Sequence, residues 1–150
     1  IGHLVGQKKI RAAYLLGKYV MRLSILVSLV LSCIWAAGGH FIFSLLTDNE
    51  EIIRLGVTVM IIDVVVEIGR AVNIYATNAL RSAGDVNYPF YMGFTVQWTV
   101  SVGFSYLLGI HWGWGLAGMW CAFLLDENIR AILFVRRWNS LKWAKKGFVK

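Results

Sequence analysis

A stripe of polar side chains lies along one face of an otherwise apolar segment, residues 55–80. Its members are Asp63, Glu67, Arg70, Asn73, Thr77 and, just beyond the segment, Arg81. At about 100° per residue, all six fall within about 120° of one helical face. A charge in the hydrocarbon of a bilayer costs at least about 2.5–3.5 kcal/mol, so such residues normally face a cavity or a partner. The stripe therefore predicts a helical membrane protein with a water-accessible pathway along this helix.

Two long stretches without Lys, Arg, Asp or Glu surround the striped segment. They lie between Arg22 and Asp48 and between Asp85 and Asp126, in a chain that is 58% hydrophobic with a mean hydropathy of +0.63. The first stretch fits one span of about 20 residues and the second fits two. The apolar runs lack period-2 alternation and exceed strand length, which argues against strands. We therefore predict an all-α integral membrane fold. Its four transmembrane helices are expected at about 15–46, 51–80, 88–109 and 115–136.

The net charge of +7 is distributed unevenly between the two predicted sides of the membrane. If the N-terminal stretch is cytoplasmic, only Arg54 lies outside, while Arg70 and Arg130 are intramembrane. The other basic residues fall on the cytoplasmic side: Lys8, Lys9, Arg11, Lys18, Arg22, Arg81, Arg136, Arg137, Lys142, Lys145, Lys146 and Lys150. This asymmetry follows the positive-inside rule and predicts a multi-pass protein of the cell membrane with a cytoplasmic C-terminus. Residues 137–150 are then a basic cytoplasmic tail that attracts anionic membrane lipids, and nucleic acid is not an expected partner.

Local signals predict where the helices begin and end. The turn 47–51 offers an N-cap and two carboxylates for the first turn of the striped helix. Gly84 suits the end of that helix, and Pro89 suits the first turn of the next one. Asp85 or Asn87 is available to cap that next helix. We therefore expect the connection between the second and third helices to be short.

Tryptophan and glycine mark the expected membrane boundaries. Trp112 and Trp114 are assigned to an outer aromatic belt, and Trp138 and Trp143 to an inner one. The segment 113–118 matches the glycine pattern of dinucleotide-binding loops, but no strand precedes it, so we interpret it as a tight turn between two spans.

Neither the cysteines nor the first residues indicate a cofactor or a targeting signal. Cys33 and Cys121 stand singly in apolar spans without metal-ligand spacing, so we expect packed free thiols and no cofactor. Residues 1–14 are predicted to form a loop, and they match no signal peptide and lack an initiator Met. Since four helices enclose little of a pathway, we expect this chain to be part of a longer protein.

The fourth predicted helix carries three charges of its own. Asp126 and Glu127 precede Arg130 by four and three residues, the favourable order for ion pairs within a helix. One interpretation is an intramembrane ion pair that only neutralises these charges. The other is that the pair exchanges with the stripe on the second helix during a conformational cycle.

The stripe itself offers a candidate cation site. Asp63 lies roughly 13 Å along the helix from Arg54, and Glu67 roughly 20 Å. A carboxylate at that depth can hold a proton or give an oxygen to Na⁺, so Na⁺ at Glu67 or Asp63 is the one metal expected. Arg70 favours the ionised form of Glu67, and Asn73 lies close enough to position its carboxylate. Two acids and one base leave one negative charge for a coupling cation or a cationic substrate.

Several segments, taken in order, resemble the C-terminal part of the multidrug and toxic compound extrusion (MATE) family. They are Gly6-Gln7-Lys8-Lys9, Glu67-Ile68-Gly69-Arg70-Ala71-Val72-Asn73, Leu80-Arg81-Ser82-Ala83-Gly84-Asp85 with Pro89, Gly113-Trp114-Gly115-Leu116-Ala117-Gly118-Met119-Trp120, Asp126-Glu127-Asn128-Ile129-Arg130, and Arg136-Arg137-Trp138 with Lys142-Trp143. The resemblance covers essentially the whole chain, and Leu-Arg-x-x-Gly-Asp is its most specific element.

The resemblance implies a twelve-helix, two-lobe antiporter, of which this chain is helices nine to twelve in the C-terminal lobe. It implies export of cationic amphipathic compounds driven by Na⁺ or H⁺. The C-lobe cation site of such proteins draws on carboxylates, one of them on helix ten, where this chain offers Asp63 and Glu67. The partners it implies are membrane lipids, small cationic organic substrates and the remaining helices of the same transporter.

Two alternatives remain open. One is a flippase for a lipid-linked oligosaccharide from the same superfamily, for which a wide basic cavity is the distinguishing feature. The other is a non-catalytic structural membrane subunit. We predict that the protein is not an enzyme, because the spans hold no Ser/His/Asp, HExxH or paired-metal spacing.

Overall fold

The computed structural model describes residues 1–146, without the side chain of Lys146, and these residues form helices and short connections with no strand. Lys150 and the end of the predicted tail lie outside the described residues. The helices are α1 (Gly2–Gly6), α2 (Ile10–Ala37), α3 (Gly39–Ser44), α4 (Glu50–Ser82), α5 (Asn87–Val96) and α6 (Gly115–Asn139). Two π-helical segments, Gln97–Val102 and Ser105–His111, follow α5, and a 3₁₀ turn, Lys142–Lys146, follows α6.

Helix α4 is the centre of the arrangement, with α2 on one side and α6 on the other, while α5 and its π-helical segments pack against α6. The start of α2 meets the end of α6, where the Tyr14 hydroxyl donates to Asn139 Oδ1 at 3.2 Å. The connection from α4 to α5 reaches the same end, since Arg137 Nε lies 2.6 Å from Asp85 Oδ2. The long helices therefore alternate in direction, as four successive spans require.

The N-terminal third differs from its prediction in two ways. Residues 1–14 are not a loop, because they contain α1 and the first turns of α2, and Val5 is buried in the core at this end. The expected helix 15–46 is divided at Gly38 into α2 and α3. At this division the backbone of Gly39 lies so close to Met60 that an added Cβ would be 2.8 Å from the sulfur. Gly39 therefore allows α3 to pack tightly on α4.

Helix α4 forms as its end signals predict. Asn49 Oδ1 accepts from the backbone N–H of Glu51 at 3.0 Å and of Ile52 at 3.3 Å, which caps two otherwise free donors. At the other end Gly84 has φ +91, and the N–H of the next residue donates to Leu80 O at 2.9 Å. This left-handed glycine ends the helix.

The N-terminus of α5 is not capped by either of the side chains that the sequence makes available. Val86 holds the N-cap position without a side-chain bond, so neither Asp85 nor Asn87 caps the helix. The carboxylate of Asp85 is fully buried and pairs instead with Arg137, whose guanidinium lies 4.5 Å above the Tyr88 ring. A distant cation thus takes the place of the local backbone donors. Pro89 is in the first turn of α5, as expected.

The assignment of Trp138 and Trp143 to an inner aromatic belt is wrong, because both side chains are buried inside the protein. Their side chains are 1% and 0% exposed, and their rings stack with centroids 4.4 Å apart at 12°. Gly17 of α2 lies directly under the Trp138 ring, with no room for a Cβ. The two rings therefore form a core that joins the start of α2 to the end of α6. Trp112 and Trp114 are exposed in the hairpin at the other end.

Both cysteines are free, but Cys33 is exposed on α2 rather than packed, and Cys121 is half-buried. Within the same described residues, one helix, α2, is long and apolar enough to cross a membrane by length and composition. Helix α4 has sufficient length, roughly 50 Å at 1.5 Å per residue, but carries the charges of the stripe. The expected third span consists of α5 and the wider π-helical turns instead of one regular helix.

The alternation of the helices leads to a labelling prediction. Cysteines placed at Asn49 and at Lys145, in a background lacking Cys33 and Cys121, should react with a membrane-impermeant maleimide from opposite sides of the membrane. These positions lie before α4 and after α6, so three helical passages separate them. Reaction of both positions from the same side would contradict the four-span arrangement.

Candidate functional site

The stripe on α4 lies over the gap between α2 and α6. Towards α2, the Ser28 hydroxyl donates to Glu67, at 3.2 Å from its backbone oxygen and 3.4 Å from Oε2. Towards α6, Asn73 Nδ2 donates to the backbone oxygen of Glu127 at 2.8 Å and also to its carboxylate. The stripe thus connects both neighbouring helices by hydrogen bonds.

Arg70 lies between two carboxylates from different helices. It forms an ion pair with Glu67 on its own helix, and its Nε is 3.9 Å from Glu127 Oε1 on α6. Its side chain is 39% exposed, so it has room to move. A guanidinium in this position can strengthen its contact with one carboxylate as it gives up the other.

The charges of α6 continue this network. Arg130 donates to the carboxylate of Asp126 and, at 3.0 Å, to Glu127 Oε1. The side chain of Asp126 is 1% exposed, and its Oδ1 has no hydrogen-bond partner among the described residues. The predicted ion pair on this helix is therefore present. It is joined to the stripe through Glu127, whose Oε1 lies 3.9 Å from Arg70 Nε, while the exchange of ion pairs between the two helices stays a prediction.

Five charged groups form one chain across α4 and α6: Glu67, Arg70, Glu127, Arg130 and Asp126. Three carboxylates and two guanidiniums leave one negative charge when all are ionised. The sequence interpretation reached the same net charge with a different set, Asp63, Glu67 and Arg70. In the structure, the one net negative charge belongs to a network of side chains from both α4 and α6.

Gly69 makes the connection between α4 and α6 possible. A Cβ at this position would lie 3.0 Å from the backbone carbon of Glu127 and 3.1 Å from Asn128 N. Because glycine has no side chain, the backbones approach closely at the level of the charges. This closeness lets Asn73 and Arg70 reach Glu127.

Asp63 has a different environment from Glu67. Its Oδ1 accepts a hydrogen bond from Trp120 Nε1 of α6 at 3.2 Å, and within the part of the chain described it has no ion pair. Sequence reasoning missed Trp120. Its spacing of seven residues from Glu127 places both on one helical face and was the available signal.

Of the cavities that border the stripe, two differ in the charged side chains of their lining. A cleft of about 390 Å³ between α2 and α4 has no basic side chain among the described residues that line it, which are Ser28, Leu31, Ser32, Trp35, Ala36, Met60, Asp63 and Glu67. A groove of about 510 Å³ between α4, α5 and α6 includes Arg70, Arg81, Arg130, Phe90 and Phe94 in its lining. Asn73, Thr77 and Glu127 also line that groove. The acidic cleft suits a cation, and the basic groove suits an anionic group.

The described residues contain no group of three or more His, Cys, Asp or Glu side chains that could hold a metal ion. Among the described residues, the polar side chains that line the acidic cleft and could offer an oxygen to Na⁺ are Asp63, Glu67, Ser28 and Ser32. A Na⁺ site at Asp63 or Glu67 therefore stays a prediction.

Comparison with known proteins identifies the family. The MatE family model matches residues 1–107. The uncharacterized transporter YisQ of Bacillus subtilis is 34% identical over 147 residues, which are 98% of this chain and 32% of YisQ. The multidrug resistance protein NorM of Aliivibrio fischeri is 27% identical over 151 residues, 98% of this chain and 32% of NorM. The multidrug resistance protein MdtK of Yersinia pseudotuberculosis is 25% identical over 150 residues, 97% of this chain and 32% of MdtK.

The chain spans about a third of the length of these curated relatives. No solved structure matches it significantly. The family match covers more than half of the chain, and YisQ extends the similarity over nearly all of it. The chain therefore belongs to the MatE family, whose members are membrane transporters and not enzymes.

Proposed function

We propose that this chain forms part of a secondary active efflux transporter, in which entry of Na⁺ or H⁺ drives export of cationic amphipathic compounds. The observation that carries the proposal is the acidic cleft between α2 and α4, where Asp63 and Glu67 share one cavity with Trp35 and the described lining has no basic side chain. Multidrug resistance proteins among the relatives support the same class of activity.

The cleft has the chemistry that a cationic amphipathic molecule requires. The carboxylate of Asp63, which has no ion pair among the described residues, attracts a positive charge, and that of Glu67 becomes available when Arg70 leaves it. The indole of Trp35 offers an aromatic surface to an apolar ring or to the cation itself. The volume, about 390 Å³, is in the lower part of the range for small-molecule pockets. A substrate cation and a coupling cation compete for the same carboxylates, and this competition is what antiport requires.

The ion pair of Arg70 with Glu67 supplies a way to couple cation binding to helix movement. In the proposed cycle, a cation that binds Glu67 replaces Arg70 there. Arg70 then moves to Glu127, from which its Nε is already only 3.9 Å away. This exchange strengthens the contact between α4 and α6 and weakens that between Arg70 and Glu67. Binding energy thus shifts the balance between two arrangements of the same helices.

We assign the chain to helices nine to twelve, in the C-terminal lobe of a twelve-helix transporter of the cell membrane. The order of the family-like segments and the alternating helices support this assignment. The basic residues at the ends of α2 and α6 that meet support a cytoplasmic position for that end. The remaining helices, which complete the pathway, are then the chain's main protein partners.

A lipid-linked oligosaccharide flippase is the second candidate, and the basic groove is the observation that favours it. Arg70, Arg81 and Arg130 line this groove beside Phe90 and Phe94, a combination that suits a phosphate with an apolar chain. Two of its arginines are already paired with carboxylates, however, so the groove carries less free positive charge than its composition implies.

Transport by the full-length protein in proteoliposomes tests the proposal. A fluorescent cationic dye and a fluorescent lipid-linked sugar phosphate are offered separately, under a Na⁺ gradient alone and under a H⁺ gradient alone. We expect dye movement driven by one of the two gradients, with no movement of the sugar lipid. Gradient-independent movement of the sugar lipid would support the flippase, and absence of both activities would favour a structural subunit.

A further inference from the structure

Trp120 connects α6 to the acidic cleft through a single hydrogen bond. Its Nε1 donates to Asp63 Oδ1 at 3.2 Å, and Asp63 lines the cleft between α2 and α4. The ring packs edge-on against Phe123, with centroids 5.6 Å apart and planes at 87°. This contact restricts the plane of the indole and therefore the direction of its N–H.

The hydrogen bond holds Asp63 without neutralising it. An indole N–H is a donor with no charge, whereas the carboxylate of Glu67 is paired with the guanidinium of Arg70. Asp63 has no ion pair among the described residues. Its negative charge is therefore oriented by α6 and still free to attract a cation in the cleft.

We infer that Trp120 is a positioning residue of the coupling site, fixing the Asp63 carboxylate so that an entering cation meets an oriented oxygen before it reaches Glu67. The inference rests on the proposed cation-coupled transport. It makes α6 part of the site through two contacts with α4. Trp120 donates to Asp63, and Glu127 lies near Arg70. Trp120 and Glu127 are on one face of the helix, two turns apart.

Trp120→Phe tests the inference, since it removes the N–H and keeps an aromatic ring. The cation concentration that gives half-maximal transport, called the cation constant below, should rise about tenfold. This is the size of effect expected for the loss of one hydrogen bond to a charged group. The maximum rate at saturating cation should be retained. Trp98→Phe is the matched control, because Trp98 is exposed and its ring contacts only Phe94 among the ring pairs described. It should leave the cation constant unchanged.

A double variant separates positioning from simple structural support. In an Asp63→Asn background, Trp120→Phe should have no further effect on the cation constant, because the carboxylate that the indole orients is already absent. A structural role would lower transport in both backgrounds. If Trp120→Phe fails to fold, 3-benzothienylalanine at the same position replaces the N–H with sulfur at nearly the same volume and serves the same comparison.

The outcomes distinguish the inference from the proposal beneath it. If the unaltered protein shows no cation-driven transport, the proposed function fails, whatever the Trp120 variants do. If the unaltered protein is cation-driven and both Trp120 replacements keep its cation constant, only the role of Trp120 is overturned. Additive losses in the double variant overturn it equally.

Discussion

Glu67→Gln is expected to abolish cation-driven efflux while leaving the protein folded. The amide keeps the shape of the side chain and can still accept from the Ser28 hydroxyl, but it has no charge to bind a cation. Arg70 then loses its charged partner on α4, and among the described residues Glu127 is the carboxylate left near it, so the proposed exchange has one ion-paired arrangement instead of two. Efflux of a cationic dye from proteoliposomes under the driving gradient measures the effect, with thermal unfolding as the check on folding.

Glu51→Gln provides the matched control for this charge change. Glu51 is exposed in the first turn of the same helix, away from the cleft, and its replacement should leave transport unchanged.

Asp63→Asn should raise the cation constant or alter the substrate range, with a smaller loss of maximum rate than Glu67→Gln. Wild-type ion dependence in folded Glu67→Gln protein would falsify its assignment. If ion dependence is lost in Asp63→Asn instead, the coupling site is at Asp63, one turn further out along α4.

Periodicity allowed the stripe and the helical fold to be predicted, because both depend on spacing along one helix. The ends of α4 were equally accessible, since the cap of Asn49 and the left-handed Gly84 act on backbone groups within a few residues. The charges of α6 were found for the same reason. Each of these features is determined by neighbours in sequence.

Contacts between helices could not be read in the same way. The sequence makes Asp85 or Asn87 available to cap the helix that follows, yet the carboxylate of Asp85 pairs with Arg137, which is 52 residues away. Trp138 and Trp143 are residues typical of the aromatic belt at a membrane surface, but their rings stack in a core. Gly17 of α2 leaves space there for the Trp138 ring. A residue with several suitable environments is placed by tertiary packing, which one sequence does not specify.

In the candidate site, too, features along one helix could be predicted and contacts between helices could not. Asp63, Glu67, Arg70 and Asn73 were predicted together because they share a helical face. Their partners on α6 depend on the close approach at Gly69, a position whose importance lies in the missing side chain. The joining of two sets of charges into one network is therefore a structural finding, and it bears directly on the interpretation of α6.

Arg130→Ala is expected to destabilise the protein strongly. Asp126 is almost fully buried, and its Oδ1 has no hydrogen-bond partner in the described structure, so Arg130 stabilises it chiefly through Oδ2. Without the guanidinium a buried charge is left uncompensated, a change that costs about 3–5 kcal/mol. Glu127 is less dependent on Arg130, because Asn73 also donates to its carboxylate. Thermal unfolding in detergent and the yield of folded protein measure the loss.

The double replacement of Asp126→Asn with Arg130→Gln should recover part of that stability, since it removes both charges and leaves two neutral side chains that can hydrogen-bond. Arg136→Ala is the control: it removes the same type of side chain from an exposed position on the same helix and should change the unfolding temperature little. The network through Glu127 adds a second expectation. Transport in the double variant should remain cation-driven if Arg130 and Asp126 only support the structure, because Glu67, Arg70 and Glu127 are all retained. An Arg130→Ala protein of normal stability that has lost transport would instead place Arg130 in the exchange of ion pairs itself.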